Sequence, residues 1–147
     1  MSGIEIRQGQ ALRSKSSDAN LLLIDKTGLL SIYTASGKEK ILSDEGSDIV
    51  QAFSSGPALI INGILRTGLD ESVIGVVALA QAGDGCYYVL YSSDATLSQA
   101  ANILYAQGVT NAYVLASGDD ACIYTCFGIS QSKPVSNIVY FATAAGL

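Results

Sequence analysis

The chain has 147 residues, 49% of them apolar and only 14% charged, with a net charge of −5 and no histidine. That length suits one domain spanning residues 1–147 with a real core, and the apolar content excludes a disordered chain. The acidic balance without clustered Lys or Arg argues against nucleic acid and anionic membranes, and the lack of imidazole removes Ser–His, Cys–His and His-ligated zinc chemistry.

In chain order, Ile4-Glu5-Ile6-Arg7 alternates apolar and polar, and Gln8-Gly9-Gln10 turns it back into Ala11-Leu12, the pattern of a hairpin. Arg13–Asn20 reads as a polar loop. Leu21–Ile24, the turn Asp25-Lys26-Thr27-Gly28 and Leu29–Tyr33 form a second hairpin. Ser36-Gly37-Lys38 closes it, and a short second helix is expected at about 47–52. Pro57–Ile61 is an apolar strand joined through Asn62-Gly63 to Ile64-Leu65-Arg66, and Thr67–Ser72 is a loop. Val73–Gln81 and Cys86–Tyr91 pair around Ala82-Gly83-Asp84-Gly85.

The clear helix lies at about 96–107. Thr96 is a good N-cap, Gln99 completes a capping box, and Gly108 stands where a helix stops. Leu97, Ala100, Ala101 and Leu104 fall on one apolar face. Strands are expected at Ala112–Leu115, Cys122–Phe127 and Asn137–Ala142, with a turn near Gly128–Pro134. Strands outnumber helices, which predicts an α+β domain on a largely antiparallel or mixed β-sheet.

No transmembrane segment is expected, since the runs Pro57–Ile61 and Val73–Ala80 fall short of the ~20 residues a span needs. Met1-Ser2-Gly3 leads straight into alternating sequence, so no signal peptide is expected either. Cys122 and Cys126, read as one strand, would sit ~13 Å apart, too far for a disulfide. With Cys86 they are read as buried thiols, and no metal site or cofactor is expected. The candidate ligand-binding residues are the loop Ser117, Gly118, Asp119 and Asp120, with Arg66 as a candidate anion clamp; the alternatives are a solvated turn and a surface arginine. The strand tyrosines are read as sheet packing, or else as a contact surface for sugars or protein. Low charge with abundant Ala, Ser, Gly and Tyr points to a homo-oligomer or a protein partner covering apolar surface.

Seven segments in order, GIEIRQGQAL, LLIDKTGLLSIY, VQAFSSGPALIINGIL, SVIG, a strand pair, TLSQAANILYAQGVTNAYVL and KPVSNIVYF, resemble the phosphodiester glycosidase family over about residues 3–141. The resemblance implies an uncovering-enzyme-like domain acting on sugar phosphodiesters, with signatures Asn-Leu-Asp-Gly-Gly-Gly-Ser-Ser and Arg-Thr-Ala-Ile-Gly. Here the first corresponds to Val114–Ala121, where Leu115 and Gly118 match but Ala116 replaces the aspartate and Asp119 and Asp120 replace glycine and serine. The second corresponds to Glu71–Gly75, an anion in place of the arginine. An Asn-Gly-Gly-Phe-Phe region expected upstream is absent from these residues.

A phosphate cradle needs glycine backbone and a cation, so the expectation is a degenerate site with no catalytic residue. The function expected is a non-catalytic structural or interaction protein. It would self-associate or decorate a larger assembly, for which the family's distribution suggests a phage particle (virion) or a cell surface. The alternatives are a carbohydrate-binding module with a glycan ligand and an active glycosidase on sugar-phosphodiester linkages.

Overall fold

A computed structural model describes residues 4–14, 20–34, 48–54, 56–125 and 128–129. The first sheet is built from hairpins. β1 (Ile4–Arg7) pairs with β2 (Gln10–Ser14), and β3 (Leu21–Asp25) with β4 (Leu30–Tyr33). Between the two hairpins lies β5 (Ile49–Phe53), giving the order β2-β1-β5-β3-β4 with every pairing antiparallel. Here the expectation of a helix at about 47–52 is overturned. Ile49 and Val50 are β-branched and favour a pleated surface, and a slot open on both edges secures backbone hydrogen bonds on each side. The expected loop Arg13–Asn20 also starts later, because β2 runs through Ser14.

The second sheet has the order β7-β6-β10-β8-β9, again antiparallel throughout. Its members are β6 (Ala58–Ile61), β7 (Ile64–Leu65), β8 (Ile74–Ala82), β9 (Tyr87–Thr96) and β10 (Val109–Ser117). A two-stranded ladder of β11 (Tyr124–Thr125) and β12 (Gly128–Ile129) follows. Only Tyr124–Thr125 of the expected strand Cys122–Phe127 is extended among the described residues, and the expected strand Asn137–Ala142 lies outside them. The α+β reading on antiparallel sheet is what the structure has, with the strands divided between two principal sheets.

α1 (Leu97–Ala106) forms as its ends dictate. The Thr96 hydroxyl accepts from the Gln99 N–H at 3.3 Å, and the Gln99 side chain accepts from the Thr96 N–H at 2.9 Å. Leu97, Ala100, Ala101 and Leu104 are buried, the face the spacing predicts. They pack with Leu59, Val76, Ala78, Ala80, Ala112 and Val114 against one side of the second sheet. The other side meets the first sheet through Leu22, Leu30, Ile32, Ala58, Leu79 and Tyr113. The layers are therefore sheet, sheet and helix.

Three polar side chains cross the sheet–sheet interface. Gln81 accepts from the Leu30 N–H at 2.8 Å and donates to the Gly28 carbonyl at 2.9 Å and the Gly85 carbonyl at 3.1 Å. Asn111 donates to the Leu30 carbonyl at 3.1 Å and accepts from the Asn62 N–H at 3.0 Å. The Tyr113 hydroxyl donates to the Asn20 carbonyl at 2.9 Å and accepts from the Gly56 N–H at 3.1 Å, while its ring meets Phe53 edge-on at 6.1 Å. Buried polar groups cost free energy unless bonded, and these are bonded to backbone.

Candidate functional site

β10 runs up the middle of the second sheet and delivers Ser117 to its end. Gly118–Asp120 then makes one 3-10 turn, closed by the Ala121 N–H donating to the Gly118 carbonyl at 3.1 Å. Asp119 and Asp120 are exposed on it. A two-carboxylate turn at a strand end is thus real, and it is short and solvated.

The turn is not isolated. Gly75, at the start of β8, has φ +94°, and a Cβ there would lie 3.1 Å from the Gly118 carbonyl oxygen, 3.6 Å from the Ala121 Cβ and 3.6 Å from the Ser93 carbonyl oxygen. Only glycine combines that backbone with such close approach. The Val73-Ile74-Gly75 stretch and the Gly118 loop, which the sequence singled out separately, therefore converge beside the end of β9.

Just upstream, Glu71 accepts a short hydrogen bond from the Ser98 hydroxyl in the first turn of α1. That bond, with a second from Thr96, holds the Glu71 carboxyl below its ordinary range. Asp70 accepts from the Ser72 hydroxyl at 2.6 Å and the Ser72 N–H at 2.9 Å, and those bonds lower its pKa in turn. The rim built from Asp70–Gly75 and Ser117–Asp120 is accordingly anionic. The Glu71 carboxylate is held beside the first turn of α1 by the Ser98 and Thr96 hydroxyls, where a helix favours negative charge.

Arg66 is not brought to this rim. It is exposed just past β7, at the edge of the sheet, and its N–H donates to the Leu59 carbonyl at 2.9 Å. Two strand spacings separate β7 from β10, ~10 Å across the sheet. The expectation of buried thiols is corrected at Cys86, which is exposed in the β8–β9 turn because Gly85-Cys86 sits beyond the paired residues. Its neighbour Asp84 pushes the thiol pKa up. Cys122 is half-buried, and Cys126 lies outside the described residues. Among the described residues no three His, Cys, Asp or Glu gather as a metal site, and no helix is long and apolar enough to cross a membrane.

Among the described residues the tyrosines do not form one row. Tyr113 is fully buried, Tyr88 leans on the helix-side core, Tyr87 lies on the opposite side of β9 from Tyr88, and Tyr105 is exposed on α1. A further feature was not visible from the residues alone. Between the end of β9 and α1 lies an open groove of about 500 Å³ lined by Ser92, Asp94, Ala95, Gln99, Asn102 and Ile103. The capping box placed the strand–helix junction correctly, but nothing in the sequence foretold its concavity.

Two antiparallel sheets and a capped helix packed on one of them define an α+β domain, and that arrangement is found among solved structures. The chain is similar to the catalytic domain of zebrafish N-acetylglucosamine-1-phosphodiester alpha-N-acetylglucosaminidase, solved auto-inhibited by its pro-peptide, with a TM-score of 0.67 and 22% sequence identity. The match covers 83% of this chain and 47% of that one, so the chain spans about half the length of the structure it matches. The fold is therefore phosphodiester glycosidase-like. No family model matches the chain. No curated protein matches it either.

Proposed function

We propose that this chain is a non-catalytic structural or interaction module on a phosphodiester glycosidase-like fold, self-associating or attached to a larger assembly such as a phage particle. One observation carries the reading: the Glu71 carboxylate is held beside the first turn of α1 while Asp119 and Asp120 project from the adjoining rim. A phosphodiester approaching this rim meets like charge from Asp70, Glu71, Asp119 and Asp120. The residues that resemble the family's signatures stand on the same rim, with Ala116 where a proton-transferring aspartate would be needed. The test is turnover of an N-acetylglucosamine phosphodiester by the purified chain. No turnover is expected. Turnover that disappears in Asp119→Asn or Asp120→Asn would replace this reading with that of an active phosphodiester glycosidase.

A second reading, a carbohydrate-binding module, is favoured by the β9–α1 groove, whose amides, hydroxyl and carboxylate are the groups that bind sugar hydroxyls. Saturable binding on a glycan array, lost in Asn102→Ala, would establish it.

A further inference from the structure

We propose that Asn62 is a deamidation site that the fold holds shut. Its gate is the hydrogen bond from the Gly63 N–H to the Thr110 carbonyl, so conversion waits on opening of the β6–β7 hairpin.

Asparagine is a chemically labile side chain. In the reaction the backbone nitrogen of the next residue attacks the side-chain amide carbon, so the bulk of that next residue governs access. Asn20, Asn102, Asn111 and Asn137 are followed by Leu, Ile, Ala and Ile, whereas Asn62 alone is followed by glycine. Gly63 has no Cβ to hinder ring closure. The step needs only the chain and water. The Gly63 nitrogen bonds to the Asn62 Cγ, the Cγ–Nδ2 bond breaks, and ammonia leaves with the proton that the attacking nitrogen gave up. Water then opens the cyclic imide at one carbonyl or the other, giving aspartate or β-linked isoaspartate.

Asn62 is exposed to that water. What the structure withholds is the nucleophile. Asn62 and Gly63 form the turn between Ile61 and Ile64, with φ +50° and +77°. The Gly63 N–H, which must lose its proton to attack, donates to the Thr110 carbonyl at 2.7 Å. The Asn62 N–H donates to the Asn111 Oδ1 at 3.0 Å. Both bonds run to β10 in the middle of the second sheet, so the turn is anchored at two successive peptide groups. β7 is two residues long and lies at the sheet edge, where local opening costs less than unfolding the core. Reclosing after reaction is harder than opening. Isoaspartate adds a methylene to the main chain, which spoils the fit of this turn to the register Ile61↔Ile64. The conversion is therefore one-way, and it loosens the strand that sets Leu65 against the helix-side core.

The test is peptide mapping by mass spectrometry of the whole chain aged at mildly alkaline pH, native and in urea, with isoaspartate scored at residue 62. In urea Asn62 should convert ahead of the other asparagines, and in the native chain at least about ten times more slowly. Asn111→Leu, which leaves the Asn62 N–H without its partner, should speed native conversion. Gln81→Leu, a comparable loss of stability that spares both turn bonds, should not. Native and urea rates that agree overturn the gate. So does Asn111→Leu that ages no faster, or equal acceleration by Gln81→Leu, which would assign control to global unfolding. Asn62 that stays intact in urea overturns the site itself.

Discussion

The interface between the sheets and the rim at the end of the second sheet use polar residues in opposite ways. In the interface, Gln81, Asn111 and Tyr113 each bind backbone of distant segments, such as Gln81 with Leu30 and Tyr113 with Asn20. Their hydrogen-bonding capacity holds two sheets together. At the rim, the carboxylates bind near neighbours or the adjoining helix turn, as Asp70 does with Ser72 and Glu71 with Ser98, and they remain exposed. Changes in the interface should therefore move stability, and changes at the rim should move only what approaches it.

The largest effect is expected at Gly56. A Cβ there would lie 2.2 Å from the Val114 carbonyl oxygen and 3.1 Å from its carbonyl carbon, so β10 backbone must shift. Gly56→Ala should cost about 3 kcal/mol, read as a lower urea midpoint at unchanged slope. A neutral Gly56→Ala would mean that β10 moves freely, and the contrast between rigid interface and tolerant rim would break.

Asn111→Leu comes next. It keeps the branched shape, with a somewhat larger side chain, but strips the Leu30 carbonyl and the Asn62 N–H of their partner, for a loss of about 2 kcal/mol by the same denaturation measurement. The parallel change Gln81→Leu orphans the Leu30 N–H and should behave alike.

Much of this architecture was legible because local rules decide it. The helix stands where Thr96, Gln99 and Gly108 put it, with its predicted apolar face inward. The hairpins at Asp25–Gly28 and Asn62-Gly63 follow from turn chemistry. Ile49–Phe53 failed because its state is set by partners 24 residues or more away, namely Leu22–Asp25 and Glu5–Arg7, which no local window contains. Gln81 did leave a signal, a lone amide inside the apolar run Val73–Ala82, but its target in another sheet was invisible. The rim was half legible. Both loops were identified from their residues, whereas their meeting at Gly75, and the bond between Glu71 and α1, depend on sheet order.

A smaller effect should appear in acid. Asp25 accepts from the Thr27 hydroxyl at 2.6 Å, the Thr27 N–H at 2.8 Å and the Leu29 N–H at 3.0 Å. The Thr27 hydroxyl does most to hold its pKa below the ordinary 3.8, followed by the Leu29 N–H. A depressed folded-state pKa contributes stability that is present above the unfolded value and is lost as pH falls through the folded one. Urea midpoints should therefore drop below pH 3.8, and Asp25→Asn should flatten part of that drop. A slope unchanged in Asp25→Asn would assign acid sensitivity to other carboxylates.

The smallest stability effect belongs to the rim. Asp119→Asn and Asp120→Asn each alter an exposed side chain on a single 3-10 turn, so each should change stability by less than about 0.5 kcal/mol. A near-zero change sharpens the contrast: these carboxylates are free to vary without unfolding the domain, and any effect on binding is then a direct one. A loss comparable to Asn111→Leu would instead make the turn a structural bracket, clamped through Gly118 against Gly75.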